Sequence, residues 1–313
     1  MRDYIAPRIL ATIPVVTVVA MFVFLPLRLA GGDPAAIIAG DSATTQQVED
    51  IRVKLGLERP IAEQFVIWVG RIVRGDFGES YFFKKTVAEL IRDRLEPTMA
   101  LAACTLILAV AMAVPLGVVA AVSRGTWIDR SVMGFSVLGF SVPVFVIGYA
   151  FIYLFAIELG WLPEQGYQRL ADGFGGFLER LILPSVTLAV IYVALIARIT
   201  RASVLEVLGA DHVRTARAKG LGSASVLLRH VLRNAAVPIV TVIGLGVALL
   251  IGGVVVTESV YGIPGLGRLT VDAVLARDYP TIQAVVLLFS VVYVMINLVV
   301  DLTYTLLDPR IRY

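Results

Sequence analysis

Long apolar runs alternate with short charged segments along this chain, and six of the runs are long enough to cross a bilayer. A hydrocarbon core about 30 Å thick needs roughly 20 helical residues at about 1.5 Å each. The qualifying stretches run approximately from Ile9 to Leu27, Thr98 to Val122, Val132 to Ala156, Leu181 to Ile199, Ala236 to Val256 and Ile282 to Leu307. Pro14, Pro115 and Pro143 lie inside three of them, and Gly244, Gly246, Gly252 and Gly253 gather in the fifth. Neighbouring helices re-satisfy the backbone groups such residues free, so the pattern predicts a packed all-α bundle. The first run ends on the small residues Ala30, Gly31 and Gly32 but exceeds the roughly 7–15 apolar residues of a cleaved signal, which predicts an uncleaved span.

Between Gly31 and Pro97 the pattern changes to amphipathic. Val48, Ile51 and Leu55 recur at helical spacing, as do Ile61, Phe65, Trp68 and Ile72 after Pro60; Gly75-Asp76-Phe77-Gly78 then breaks the run. A third helix, led by Val87, Leu90, Ile91 and Leu95, is expected to continue into the second span. This segment predicts a small extracytosolic lobe, in which Trp68 and Phe77 suit either local packing or the headgroup level. The expected organisation is a first helix plus lobe over 1–97 and a five-helix core over 98–313.

Composition agrees: 58% of residues are apolar, 16% are charged and the mean hydropathy is +0.86. The lone Cys104 excludes an intrachain disulfide framework and a multi-cysteine metal site. Charge gives orientation. Lys and Arg outnumber Asp and Glu by 7 to 2 between Arg198 and Arg233, and with the N-terminus inside thirteen basic residues fall on inner segments. The short outer connections hold only Arg169, Arg180, Arg268 and Arg277. Both termini are therefore expected to be cytosolic.

The inner loop, about residues 200–235, is the most informative segment. Leu205, Leu208 and Ala216 suit one helical face, Gly220 and Gly222 offer a turn after Lys219, and Val226 to Asn234 forms a second amphipathic arm. Two short helices with a glycine break would make a knob in the cytosol. Residue physics leaves a docking role and a membrane-surface position both open. Nucleic-acid binding is disfavoured because no aromatic stacking residues accompany the basic ones.

Catalytic patterns are absent. There is no Gly-x-x-x-x-Gly-Lys-Ser/Thr phosphate loop, so any ATP energy must come from a partner. There is no His-Glu-x-x-His, and His212 and His230 both fall in the inner loop, where neither reads as a metal ligand. Gly139-Phe-Ser-Val-Pro lacks the closing glycine of a nucleophile elbow, so Ser141 is assigned to packing. Gly262-Ile-Pro-Gly-Leu-Gly is a loop by composition. Asp301, near the inner end of the sixth span, reads as structural, and Glu258 reads as interfacial. No catalytic, cofactor or metal residue is expected, and pathway-lining residues cannot be chosen.

Several dispersed segments resemble one family. They are Arg28-Leu-Ala-Gly-Gly-Asp-Pro, Leu55-Gly-Leu-Glu-Arg-Pro, Arg74-Gly-Asp-Phe-Gly-Glu-Ser and the inner run Leu205-Glu-Val-Leu-Gly-Ala-Asp-His-Val-Arg-Thr-Ala-Arg-Ala-Lys-Gly-Leu. Leu228-Arg-His-Val-Leu-Arg-Asn-Ala, Tyr261-Gly-Ile-Pro-Gly-Leu-Gly-Arg-Leu and Asp308-Pro-Arg-Ile-Arg-Tyr complete the set. Together they are similar to B-type permeases of bacterial ABC importers for dipeptides, oligopeptides and nickel. The resemblance implies a type I importer permease in the bacterial inner membrane. It further implies a second homologous permease, two cytosolic ABC ATPase subunits and an extracytosolic substrate-binding protein as partners, and no cofactor. The inner knob is then the ATPase-coupling element, with Gly209, Asp211, Arg214, Ala216, Ala218 and Gly220 making or shaping the contact. Where the general importer signature opens with Glu-Ala-Ala, this chain has Thr215-Ala216-Arg217, and the expected proline position falls near Arg233. The competing expectation is a self-sufficient channel or secondary transporter.

Overall fold

The computed structural model describes residues 2–25, 35–36, 44–80 and 82–307. The segments Arg28 to Pro34 and Asp308 to Tyr313, which carry part of the resemblance, lie outside the described residues.

The predicted helices are present. Helix α1 spans Arg2–Phe24, α2 Thr45–Leu55 and α3 Ile61–Val73. After a two-residue antiparallel pair, β1 (Glu79–Ser80) and β2 (Lys85–Thr86), comes α4, Val87–Val122. The third apolar stretch forms two helices, α5 (Trp127–Ser141) and α6 (Val144–Glu158). Then follow α7 (Phe174–Leu208), α8 (Asp211–Ala218), α9 (Ser223–Val260), α10 (Leu266–Leu275) and α11 (Tyr279–Leu307).

Helices α4, α7, α9 and α11 are long and apolar enough to cross a membrane, and the α5–α6 pair makes a fifth candidate. Helix α1, 23 residues long, has a shorter apolar part from Leu10 to Phe24, so the described residues show four spans, or five with the bent pair, where six were expected. The third span departs from expectation. Instead of running straight from Val132 to Ala156, it bends by 103° between Ser141 and Val144. Pro143 has no N–H to donate and pushes its predecessor out of the helical region; Val142 is extended (φ −91°, ψ 127°) and α6 starts afresh behind the proline.

The described residues divide into two compact units, one of those within 2–5, 96–267 and 295–307, the other of those within 6–95 and 268–294. In the first unit α7 is central: 61% of its apolar window is buried, against 33% for α4 and for α9. Leu188, Val193 and Ile196 of α7 pack with Leu101 and Ala113 of α4 and with Leu250 and Val254 of α9. Lipid tails are as apolar as these side chains, so close packing and hydrogen bonds hold such helices together more than water exclusion does. Tyr261 shows this. Buried at 2% exposure, its hydroxyl lies 2.7 Å from Thr187 Oγ1 and donates to the Gly148 carbonyl at 3.3 Å, tying α6, α7 and the end of α9.

In the second unit Thr44 caps α2: its Oγ1 accepts from the Gln47 N–H at 3.3 Å while Gln47 Oε1 accepts from the Thr44 N–H at 2.9 Å. Trp68 packs locally, 5.4 Å from the fully buried Phe24 and 6.2 Å from Phe65. The small β-pair is fastened by the hydroxyl of Ser80, which donates to Asp278 Oδ2 at 2.5 Å; Thr281 Oγ1 donates to the same oxygen at 2.6 Å.

Candidate functional site

The segment of about residues 200–235 is built differently from the expected pair of short helices. Its first arm, Arg201 to Leu208, is the end of α7, and its second arm, Val226 to Asn234, belongs to the start of α9. Only α8 stands free between them. Hydrophobicity falls off along these arms, but the helical backbone continues past the apolar window because its hydrogen bonds close within the helix and need no apolar surroundings.

Helix α8 is amphipathic over two turns. Val213 is fully buried and Ala216 is 5% exposed, both set into a cluster with Val204, Val226, Val231 and Ala235. The other face is open to solvent. Gly209 sits at the break after α7, where the Gly209 N–H donates to the Glu206 carbonyl at 3.2 Å. Asp211 opens α8, where a carboxylate complements the helix N-terminus. Arg214 projects outward, its Nη1 3.4 Å from Asp211 Oδ1, with side-chain exposures of 74% and 96%. Ala218 is exposed beside it. Gly220 ends the element with φ +80°, a left-handed conformation that favours glycine, and the Leu221 N–H returns to the Ala216 carbonyl at 3.3 Å.

The six residues therefore fall into two groups. Asp211, Arg214 and Ala218 are on the surface and available to a partner, whereas Ala216 faces the chain's own interior and shapes the element from beneath. Gly209 and Gly220 are its two ends. His212 is exposed, with Asn234 Nδ2 3.5 Å from its Nε2, and among the described residues no group of three His, Cys, Asp or Glu side chains could hold a metal ion.

Two polar clusters were missed by sequence reasoning. Asp129, in the first turn of α5, is gripped by Arg201 of α7 through paired hydrogen bonds, Nε to Oδ1 and Nη2 to Oδ2, the latter 2.7 Å. An acid just ahead of an apolar run, on the side rich in arginine, was the available signal. The second cluster corrects the expectation for Glu258, which is fully buried rather than interfacial. Thr98 Oγ1 donates to Glu258 Oε1 at 2.6 Å, and Gly265 and Gly267, on either side of the first residue of α10, lie against the carboxyl group. A Cβ on Gly265 would lie 2.1 Å from Glu258 Oε1, which is why glycine stands there.

Comparison with known proteins adds the following. Residues 113–313 match the family described as binding-protein-dependent transport system inner membrane component, and residues 1–102 match the N-terminal region of such membrane components. The chain is 54% identical over 313 residues, all of both chains, to a probable peptide ABC transporter permease, y4tP, of Sinorhizobium fredii. It is 45% identical, again over the whole of both chains, to the glutathione transport system permease GsiC of Escherichia coli. Among solved structures, an inward-facing MetNI methionine ABC transporter aligns with a TM-score of 0.58 at 19% identity, covering 70% of this chain and 96% of that one. That likeness concerns the fold, which is the type I importer permease fold.

Proposed function

Because the chain belongs to the inner membrane components of binding-protein-dependent transport systems and is a permease subunit of an ABC importer, we propose that it forms half of an ATP-driven path for short peptides or a related small solute. The peptide and glutathione permeases that match it from end to end support that substrate class. The partners are a second homologous permease, two cytosolic ABC ATPases and an extracytosolic binding protein, and both termini are cytosolic. ATP hydrolysis belongs to the ATPase partners, and this chain contributes no catalytic group. The division into a first helix with an extracytosolic lobe (1–97) and a five-helix core (98–313) belongs to the same reading.

The observation that carries the coupling role is α8: a two-turn helix fastened to the core by Val213 and Ala216, with Asp211, Arg214 and Ala218 turned outward. Such an element transmits force, since pressure on its outer face is passed to the helices behind it. ATP closes the ATPase dimer, the coupling helices of the two permeases move together, and the pathway alternates between outward and inward access.

The test is purification of the tagged chain from its native membrane in mild detergent, with subunits identified by mass spectrometry. Recovery with a second permease and ATPases carrying phosphate loops is the expected result. Recovery alone, with solute flux after reconstitution of the single chain, would replace this reading with a self-sufficient transporter.

A further inference from the structure

Arg201 and Asp129 join the inner ends of two helices that are 72 residues apart in sequence. The guanidinium fork makes two parallel bonds to one carboxylate, an arrangement that fixes orientation as well as distance. Asp129 is held from its own side too, because Oδ2 accepts from the Gly125 N–H at 2.9 Å. Its side chain is 7% exposed and that of Arg201 23%.

A second contact fastens the same two helices further along. A Cβ on Gly139 of α5 would lie 3.3 Å from Ala194 Cβ and 3.3 Å from Val190 Cγ1 of α7, so the backbones approach closely there. The ten residues from Asp129 to Gly139 cover about 15 Å, and the seven to eleven residues back from Arg201 to Ala194 and Val190 cover about 10–16 Å. Helices α5 and α7 thus run antiparallel, pinned by an ion pair at the inner end and by small-residue packing nearer the middle. Beyond Gly139, α5 stops at the bend of Pro143. At the other end of this pair, α7 leads directly into α8, and Val204 shares the buried cluster of Val213 and Ala216.

We propose that Asp129 and Arg201 are the positioning pair that makes α5 travel with α7 and the coupling helix, so that movement imposed on α8 arrives at the Pro143 bend of the third span. The inference rests on the coupling role assigned to α8. A partly buried ion pair is a weak source of stability, and an apolar pair of similar volume would hold two helices as well. What the fork adds is a fixed register between them.

The test uses the complete transporter in nanodiscs, with Cys104→Ser and nitroxide labels at Phe140→Cys on α5 and Arg198→Cys on α7, both exposed positions. Label-to-label distance is measured by pulsed EPR without nucleotide and after vanadate trapping, and ATP hydrolysis is followed in the same samples. The expected result is one distance common to both states with the ion pair intact. Asp129→Asn, which is isosteric, and Arg201→Lys, which keeps the charge but not the fork, are expected to hydrolyse ATP while the distance shifts between states. A distance that already shifts with the pair intact, or that stays fixed in both variants, overturns the inference. Failure of both variants to assemble also overturns it, since the pair would then serve folding alone. Absence of ATPases from the purified complex overturns the underlying coupling assignment; ATPases present with a shifting parental distance overturn only this inference.

Discussion

Thr98 of α4 and Glu258 near the end of α9, 160 residues apart, meet through the threonine hydroxyl, which donates to Glu258 Oε1 at 2.6 Å and accepts from the Leu266 N–H at 2.7 Å. One small side chain thus connects two membrane-long helices to the loop between Tyr261 and Leu266. Thr98→Val keeps the shape and removes both bonds. Leaving a buried hydrogen-bonding group without its partner costs about 1–3 kcal/mol, so thermal unfolding of the purified complex should begin at a clearly lower temperature than in the parent. An unchanged unfolding temperature would show that the hydroxyl contributes nothing there.

Gly267, at the start of α10, makes a sharper prediction. A Cβ on Gly267 would approach the Val255 backbone at 2.5 Å, and backbone cannot swing aside as a flexible side chain can. Overpacking of this kind costs about 1–3 kcal/mol and sometimes more. Gly267→Ala should therefore lower the amount of chain recovered in the membrane, read by quantitative immunoblot, whereas Gly70→Ala, where nothing lies within 4 Å, should not.

At α8, the proposed coupling helix, stability and transport should separate. Among the described residues Arg214 pairs with Asp211 at 3.4 Å, both side chains well exposed, and surface substitutions of this kind usually change stability by less than about 0.5 kcal/mol. Arg214→Glu should thus leave the unfolding temperature unchanged and lower ATP-driven uptake at least about tenfold in the reconstituted complex, equivalent to about 1.4 kcal/mol of lost coupling. Uptake equal to the parent would remove Arg214 from the docking surface.

Gly220 tests the shape of the same element. At φ +80° an L side chain is strained, and the left-handed region costs a non-glycine residue about 1–2 kcal/mol. Nothing lies near the missing Cβ, so the strain acts through the backbone alone. Gly220→Ala should reduce uptake modestly and Gly220→Pro severely, since proline cannot adopt a positive φ. Equal uptake by both variants would show that the turn is free to rearrange.

What could be read from the sequence follows from how far each signal extends. The spans are legible because an apolar window of roughly 20 residues has no other solution in a bilayer. The bend at Pro143 is not, because transmembrane helices also accommodate proline: Pro115, Pro184 and Pro238 all sit inside continuous helices here. Gly220 was legible as a turn because its local role needs no distant partner. Glu258 was misread as interfacial because an acid at the end of an apolar run usually meets water, and its real surroundings come from Thr98, Gly265 and Gly267. Asp129 and Arg201 each look like ordinary inner-side charges until the fold joins them.

Orientation rests on charge bias and can be tested directly. Trp161, in the connection between α6 and α7, is 66% exposed, and Lys219 is exposed at the end of α8. The excess of Lys and Arg between Arg198 and Arg233 predicts that Lys219 is cytosolic, because basic residues in short loops resist translocation. Trp161 then lies on the opposite side, one crossing away along α7. In a Cys104→Ser background, a membrane-impermeant maleimide should label Trp161→Cys in intact spheroplasts and label Lys219→Cys only in inverted vesicles. The reverse pattern would turn the chain over and put α8 out of reach of any cytosolic ATPase. Labelling of both positions from one side would mean that α7 does not cross the membrane, and the path assigned to this permease would lose its central helix.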